Sequence, residues 1–266
     1  MPPRKELHYF DRSLDYPSPS FLASDNLKER LNNQKPHNIL FRQKLEEELT
    51  LQVSSSDENR KWYLNYFLGT YSDEWYKSLF EEGKGKIKGE ITPAYSILSK
   101  KDIGHIHTLF PNLKIILILR DSVKRAWSQA RFYMTRNKFD VESNLDEIKK
   151  FIDSDIQVTR GDYISILENW SSVFSKENLF IGFYDEVSSE KEAFISKICK
   201  FLEIENIYLD KSNLLDKKVN VSIKIEMPKE IEKYLVAKYL DDMKYLSDLF
   251  GSYPKRWFEK YELMLG

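Results

Sequence analysis

The chain has one cysteine, Cys199, in 266 residues, with only nine glycines and four histidines. A lone cysteine excludes an internal disulfide framework and a cysteine-built zinc site. No cluster of histidines and carboxylates with metal-ligand spacing stands out, so no metal is expected. The longest aliphatic run, Ile115 to Leu119, is far too short to span a bilayer. Met1 to Glu6 lacks the apolar core of a secretory signal, so the expectation is a soluble cytoplasmic protein without a membrane span. Nor is there an excess of one charge: 41 Lys and Arg face 42 Asp and Glu, for a net −1. That balance excludes a uniformly basic nucleic-acid binder, though not a local basic patch. Nine glycines is about half of average usage, which is roughly 7%. The chain also lacks the Gly-x-x-x-x-Gly-Lys-(Ser/Thr) loop that an ordinary P-loop phosphotransferase requires.

What is present is a globular composition. Apolar residues make up 41% and aromatics 14%, ample for a core and for an aromatic-lined cleft. At about 150 residues per domain the length allows one large or two small domains. With no repeat and no composition break, a single domain over 1–266 is expected. It would carry a helical insertion at 22–82, with an α/β core and C-terminal helices over 86–266.

Residues 5–10 read as a short extended segment whose alternation places Glu6, His8 and Phe10 on one side. A helical pattern follows over 22–53, interrupted near Pro36, then helices over 58–68 and 72–82. Residues 86–92 read as a strand and 97–110 as a helix. Leu113 to Leu119 is continuously aliphatic, as a central strand covered on both faces would be. Helices over 122–136 and 162–174, a strand over 178–183, and helices over 188–202 and 228–250 complete the pattern. Strands alternating with helices predict a three-layer α/β/α fold around a parallel sheet.

The most informative segment runs from Lys114 to Ser128. A buried strand ends in Arg120, and Asp121 is a natural N-cap for the helix after it. In open α/β sheets ligands bind beyond the carboxyl ends of the strands. A helix N-terminus there offers free N–H groups to an anion, and a guanidinium can hold a phosphate with two parallel bonds. Ser128 lies two turns into the helix. The plainer alternative is an arginine that closes a strand and pairs with a neighbouring acid.

Arg120, Asp121, Arg125, Ala126, Trp127 and Ser128 resemble the Arg-Asp-Pro-x-x-Arg-(Ala/aromatic)-(aromatic)-Ser motif that binds the 3′-phosphate in sulfotransferases using 3′-phosphoadenosine 5′-phosphosulfate (PAPS). Ser122 stands where that motif has proline. Further stretches resemble the same family in the same order. Lys5 to Asp11 is similar to the Lys-Glu-x-x-(Phe/Tyr)-Phe-Asp segment of its carbohydrate-modifying branch. Glu74 to Tyr76 with Leu79 and Phe80 resembles its Trp-Tyr-x-x-x-Phe helix. Gly89 to Tyr95 resembles Gly-Glu-x-(Ser/Thr)-Pro-x-Tyr. Gly161 to Tyr163, Trp170, Phe174 and the strand ending at Tyr184 resemble the next segment, and Phe201 and Leu202 a Phe-Leu-Gly end with Glu203 for glycine. The set spans about residues 4 to 258.

The resemblance implies a P-loop-like fold and transfer of sulfonate from PAPS to a hydroxyl or amine, on a carbohydrate or another small acceptor. No metal is implied, because lysines and arginines can supply the charge that such transfer needs. It marks Glu6 as the base, with His8 tuning it or acting in its place and Lys5 as a nearby cation. A glutamate of ordinary acidity can accept the proton, a role worth roughly 10²–10⁴ in rate. It marks Arg120, Ser128, Lys217 and Lys218 as donor-binding; Glu90 and Thr92, on the loop fixed by Pro93, and the aromatics Tyr16, Trp75 and Tyr95 are the residues expected to line the acceptor cleft. The branch often has lysine where this chain has Ile91, so that contact is not carried over. Plainer readings remain: a solvated Lys5–Glu6 pair, ordinary exposed lysines at 217 and 218, and core tryptophans. Family members begin with a strand and a Lys-x-Gly-Thr-Thr loop that cradles the 5′-phosphosulfate. Gly83 to Lys86 is a weak substitute, so the N-terminal strand and loop are expected to be absent. A truncated, non-catalytic chain that still binds nucleotide or glycan is the alternative. Oligomeric state is not legible here.

Overall fold

A computed structural model describes residues 1–17, 20–52, 56–83, 85–205 and 225–265. They form two compact units, Met1–Leu109 and Phe110–Gly266.

The first unit is built on helices α1 (Leu27–Asn32), α2 (Pro36–Leu51), α3 (Asp57–Leu68), α4 (Asp73–Ser78) and α5 (Lys100–Leu109). Pro36 opens α2 at its first turn, where a missing N–H costs nothing. Ser56 and Ser72 cap α3 and α4 through their hydroxyls. The core is aromatic: Phe41, Trp62, Tyr66, Phe67, Tyr71 and Trp75 are all buried. Their polar ends find backbone partners, Trp62 Nε1 on Leu79 O and Trp75 Nε1 on Asn65 O, each at 2.8 Å. Arg30 is fully buried, with no carboxylate partner among the described residues. It donates to Phe67 O and Gly69 O at 2.9 and 2.8 Å, and its guanidinium lies 3.8 Å from the Tyr71 ring centre.

The second unit carries the sheet. Strands β1 (Ile115–Leu119) and β2 (Leu179–Phe183) pair in parallel, from Ile115 opposite Leu179 to Leu119 opposite Phe183. Between them run α6 (Ser122–Asn137), α7 (Leu145–Ile152), α8 (Asp155–Gly161) and α9 (Tyr163–Ser171). After β2 come α10 (Tyr184–Ser189), α11 (Lys191–Leu202), α12 (Lys229–Phe250) and α13 (Ser252–Leu265). This is the α/β class expected from the alternating pattern. Gly182 lets α11 approach β2: an added Cβ would lie 2.7 Å from Phe194 Cε2 and 2.9 Å from Phe180 Cε1. Glu203 ends α11 in the left-handed conformation, φ 57°, which explains why the family pattern places a glycine there.

Some expectations are corrected. Residues 86–92 are not a strand; among the described residues they have no neighbouring strand, and a single backbone bond, Glu6 N–H to Ile91 O at 3.1 Å, ties them across. An extended segment becomes a strand only when a partner completes the ladder. The aliphatic run at β1 is not covered on both faces: Ile115, Leu117 and Leu119 are buried, but Ile118 is 45% exposed. The helix expected over 188–202 is two helices, separated at Glu190, whose φ of −139° leaves the helical region. Helices α7, α8 and α13 lie where the sequence reading assigned none, although Leu145, Ile148 and Ile152 have helical spacing.

A Gly182→Ala chain is expected to lose about 1–3 kcal/mol of stability through overpacking against Phe194. Urea unfolding followed by tryptophan fluorescence would register this as a lower midpoint; an unchanged midpoint would mean that α11 does not need the close approach.

Candidate functional site

In the second unit the site lies beyond the carboxyl ends of both strands. Arg120 follows β1 and Tyr184 follows β2, and because Leu119 and Phe183 are paired the two residues emerge together. The Arg120 guanidinium stacks over the Tyr184 ring at 4.6 Å. The Arg120 N–H donates to Tyr163 Oη at 3.3 Å. Asp121 is 1% exposed and caps α6, accepting from Lys124 N at 3.0 Å. Its other oxygen accepts from Tyr261 Oη at 2.9 Å and lies 3.6 Å from Lys124 Nζ. Burial and the Asp121 carboxylate push the Tyr261 phenol up, so it stays protonated and donates.

A cleft of about 410 Å³ opens here, lined by Arg120, Lys124, Tyr184, Ser188, Tyr253 and Arg256 among others. Arg120 and Arg256 have no ion-pair partner among the described residues, and Arg256 stacks 5.1 Å over Tyr253. Arg120 Nε and Ser122 Oγ are buried without a hydrogen-bond partner. Two guanidinium groups without ion-pair partners among the described residues and a helix N-terminus suit an anionic ligand, and two tyrosine faces suit a flat one; the Asp121 and Asp185 carboxylates share the lining. Arg125 points elsewhere, to Gln157 and Tyr239 Oη at 3.3–3.4 Å. Gly161 makes room for it, since a Cβ there would lie 2.8 Å from both Arg125 Nη2 and Tyr239 Oη. Ser128 is half-buried on α6. Lys217 and Lys218 lie outside the described residues.

In the first unit, Glu6, His8 and Asp11 come together, though not by strand alternation. Glu6 and His8 both adopt left-handed backbone, φ 58° and 56°, and Phe10 is buried beside Tyr9. His8 Nδ1 is 2.8 Å from Asp11 Oδ2, and its Nε2 is 3.5 Å from Glu6 Oε2. Burial pulls the imidazole down, but Asp11 and Glu6 together outweigh it, and the net effect raises His8 above its usual value. Asp11 is 4% exposed and Glu6 exposed, so the arrangement runs from a buried anchor to a reachable carboxylate. Lys5 is exposed, with no ion pair among the described residues.

The Gly89 to Tyr95 loop sits against this segment. Glu90 accepts from Tyr76 Oη, from Thr92 Oγ1 at 2.7 Å and from Leu7 N at 3.3 Å. Burial pushes its carboxyl up, with these bonds opposing. Tyr95 Oη accepts from Tyr9 N at 2.8 Å. Tyr16 donates to Asp102 and accepts from Ser99 N at 3.0 Å; burial and Asp102 push its phenol up to about 12. Trp75 is 6% exposed, packed among Tyr9, Tyr66 and Tyr71. Asp11, Tyr76, Tyr163, Tyr184 and Arg256 were given no role from sequence. The spacing of His8 and Asp11 was a usable signal for the first; nothing local pointed to Arg256. Among the described residues no group of His, Cys, Asp and Glu could hold a metal, and no helix is long and apolar enough to cross a membrane.

A family model described as "Sulfotransferase family" matches residues 8–208, well over half of the chain. The membrane-associated sulfotransferase kil1 of Dictyostelium discoideum is 34% identical over 94 residues, 33% of this chain and 20% of that protein. The chain thus spans about a fifth of that relative's length. The crystal structure of a sulfotransferase from Alicyclobacillus acidocaldarius aligns over 96% of this chain and 87% of its own, with a TM-score of 0.59 at 18% identity. At that identity the likeness is one of fold.

Replacing Asp11 with Asn is expected to lower the His8 titration midpoint in proton NMR of the histidine ring. Because folding raises the His8 pKa, the stabilisation from this contact is complete below the unfolded value, about 6.5. It is lost as pH rises through the raised folded value. Asp11→Asn should therefore destabilise the chain mainly at acidic pH; an unmoved midpoint would remove Asp11 as the anchor.

Proposed function

The chain belongs to the sulfotransferase family, and from that premise we propose that it transfers sulfonate from PAPS to a hydroxyl or amine acceptor, with a carbohydrate as the favoured acceptor class. The observation that carries the donor assignment is the cleft beyond β1 and β2. There Arg120 and Arg256 lack counter-ions among the described residues, and Arg120 Nε has no hydrogen-bond partner. Arg120 and Ser128 are assigned to the 3′-phosphate, with Lys217 and Lys218 as further cations for the donor. Tyr184 and Tyr253 offer faces for the adenine.

In the reaction the acceptor oxygen bonds to sulfur as the sulfur–oxygen bond to the 5′-phosphate breaks, leaving adenosine 3′,5′-bisphosphate. The acceptor proton passes to Glu6. His8, anchored by Asp11, directs that carboxylate, and Lys5 adds positive charge nearby. Lysines and arginines supply the stabilising charge, so no metal is assigned. The carbohydrate preference rests on the Lys5 to Asp11 segment. The name of the Dictyostelium relative favours attachment to a membrane surface over a cytoplasmic location. We treat 1–266 as one functional domain.

The test is calorimetric titration with adenosine 3′,5′-bisphosphate, paired with transfer of labelled sulfonate from PAPS to a panel of sugars and small alcohols. Arg120→Ala should weaken binding by ~1.5–3 kcal/mol, the share of a charge-assisted hydrogen bond. Glu6→Gln should leave binding intact and slow transfer by roughly 10²–10⁴. No binding by the unaltered chain would sink the donor assignment. Binding without transfer, indifferent to Glu6→Gln, would identify a nucleotide-binding chain without catalysis.

A further inference from the structure

Leu7 stands between two left-handed residues, Glu6 at φ 58° and His8 at φ 56°. Side chains other than glycine avoid that region, and adjacent instances persist only where surroundings over-determine them. Here they do. The Leu7 N–H donates to Glu90 Oε2 at 3.3 Å, and the Leu7 carbonyl accepts from the fully buried Tyr66 Oη at 3.1 Å. On one side the Glu6 N–H donates to Ile91 O at 3.1 Å; on the other the Tyr9 N–H donates to Tyr95 Oη at 2.8 Å. Three of these four bonds come from the stretch Glu90 to Tyr95. Glu90 is itself held by Tyr76 and by Thr92 Oγ1 at 2.7 Å, so both its oxygens are engaged.

We propose that Glu90 and Tyr95 are positioning residues, which clamp the backbone of Glu6 to Tyr9 in a conformation it would not otherwise keep and so hold the Glu6 carboxylate against His8. This replaces the direct acceptor contact expected for them from the sequence. The inference rests on the reading of Glu6 as base for its catalytic consequence, but not for its structural one. Strain held at a site by a half-buried carboxylate and a half-buried phenol is a way to preorganise a reactive group on a segment with no regular structure. The groups facing His8 are Asp11 and Glu6, with the Phe21 ring edge-on at 6.4 Å. Release of the clamp therefore removes Glu6 from His8 while Asp11 stays.

The experiment follows His8 by NMR titration in the full chain and in Glu6→Gln, Glu90→Ala, Glu90→Gln and Tyr95→Phe forms, alongside sulfonate transfer. The expected result is that Tyr95→Phe and Glu90→Ala lower the His8 midpoint toward the Glu6→Gln value. They should also cut kcat by roughly 10²-fold, as misplacement of a reacting group does, with KM unchanged. Glu90→Gln keeps an acceptor for Leu7 and should restore both readouts. If Glu90→Ala does not fold, Tyr95→Phe decides alone. A folded Tyr95→Phe chain in which His8 titrates as in the unaltered protein overturns the proposal, as does a Glu90→Gln chain as impaired as Glu90→Ala. If the unaltered chain transfers no sulfonate, the reading of its function fails, while the His8 titration still judges the clamp.

Discussion

Leu119 and Phe183 form the last rung of the parallel pair, and much of the second unit depends on that rung. Parallel strands end at the same level, so the residues that follow them leave the sheet side by side. Arg120 and Tyr184 therefore meet, and the guanidinium lies over the ring. The helix that starts after Arg120 is capped by a carboxylate which is itself buried and held by Tyr261 from α13. An isolated buried charge would be costly; here a cap, a phenol and an ammonium share it. The consequence is a cleft in which Arg120 and Arg256 have no ion-pair partner among the described residues, although the Asp185 carboxylate, which accepts from Trp257 Nε1, also lines it.

The first unit reaches order by a different route. It has no sheet among its described residues, and its core is made of aromatic rings whose N–H and O–H groups each end on a backbone carbonyl or a carboxylate. Glu90 and Asp11 are carboxylates in largely enclosed places: both Glu90 oxygens are matched by hydroxyl or amide donors and Asp11 Oδ2 by the His8 imidazole, while Asp11 Oδ1 is buried without a hydrogen-bond partner. Removing a partner from such a network leaves a further polar group unpaired in an enclosed place, which makes the segment from Glu6 to Asp11 sensitive to residues some eighty positions away.

Strong local signals survived the passage from sequence to structure. The aliphatic run of β1, the Asp121 cap and the amphipathic α6 and α12 are written in neighbouring residues, and their positions agree within a few residues. Where a feature needed a distant partner, sequence reasoning faltered. Residues 86–92 have strand-like chemistry but no ladder among the described residues. Glu6 and His8 meet through left-handed backbone that no alternation rule contains. Trp75, read as lining a cleft, lies in the aromatic core because an indole can turn inward wherever a carbonyl waits for its N–H.

The sequence by itself determined the α/β class, the family and the strand-to-helix turn at Arg120, because these are carried by side chains in fixed local order. Only the tertiary structure decided that Asp11 anchors His8, that Tyr163 and Tyr261 brace the turn from opposite sides in sequence, and that Arg256 faces the same cleft as Arg120. Those pairings bridge dozens of residues, and a hydrogen bond depends on separation in space, of which distance along the chain carries no record.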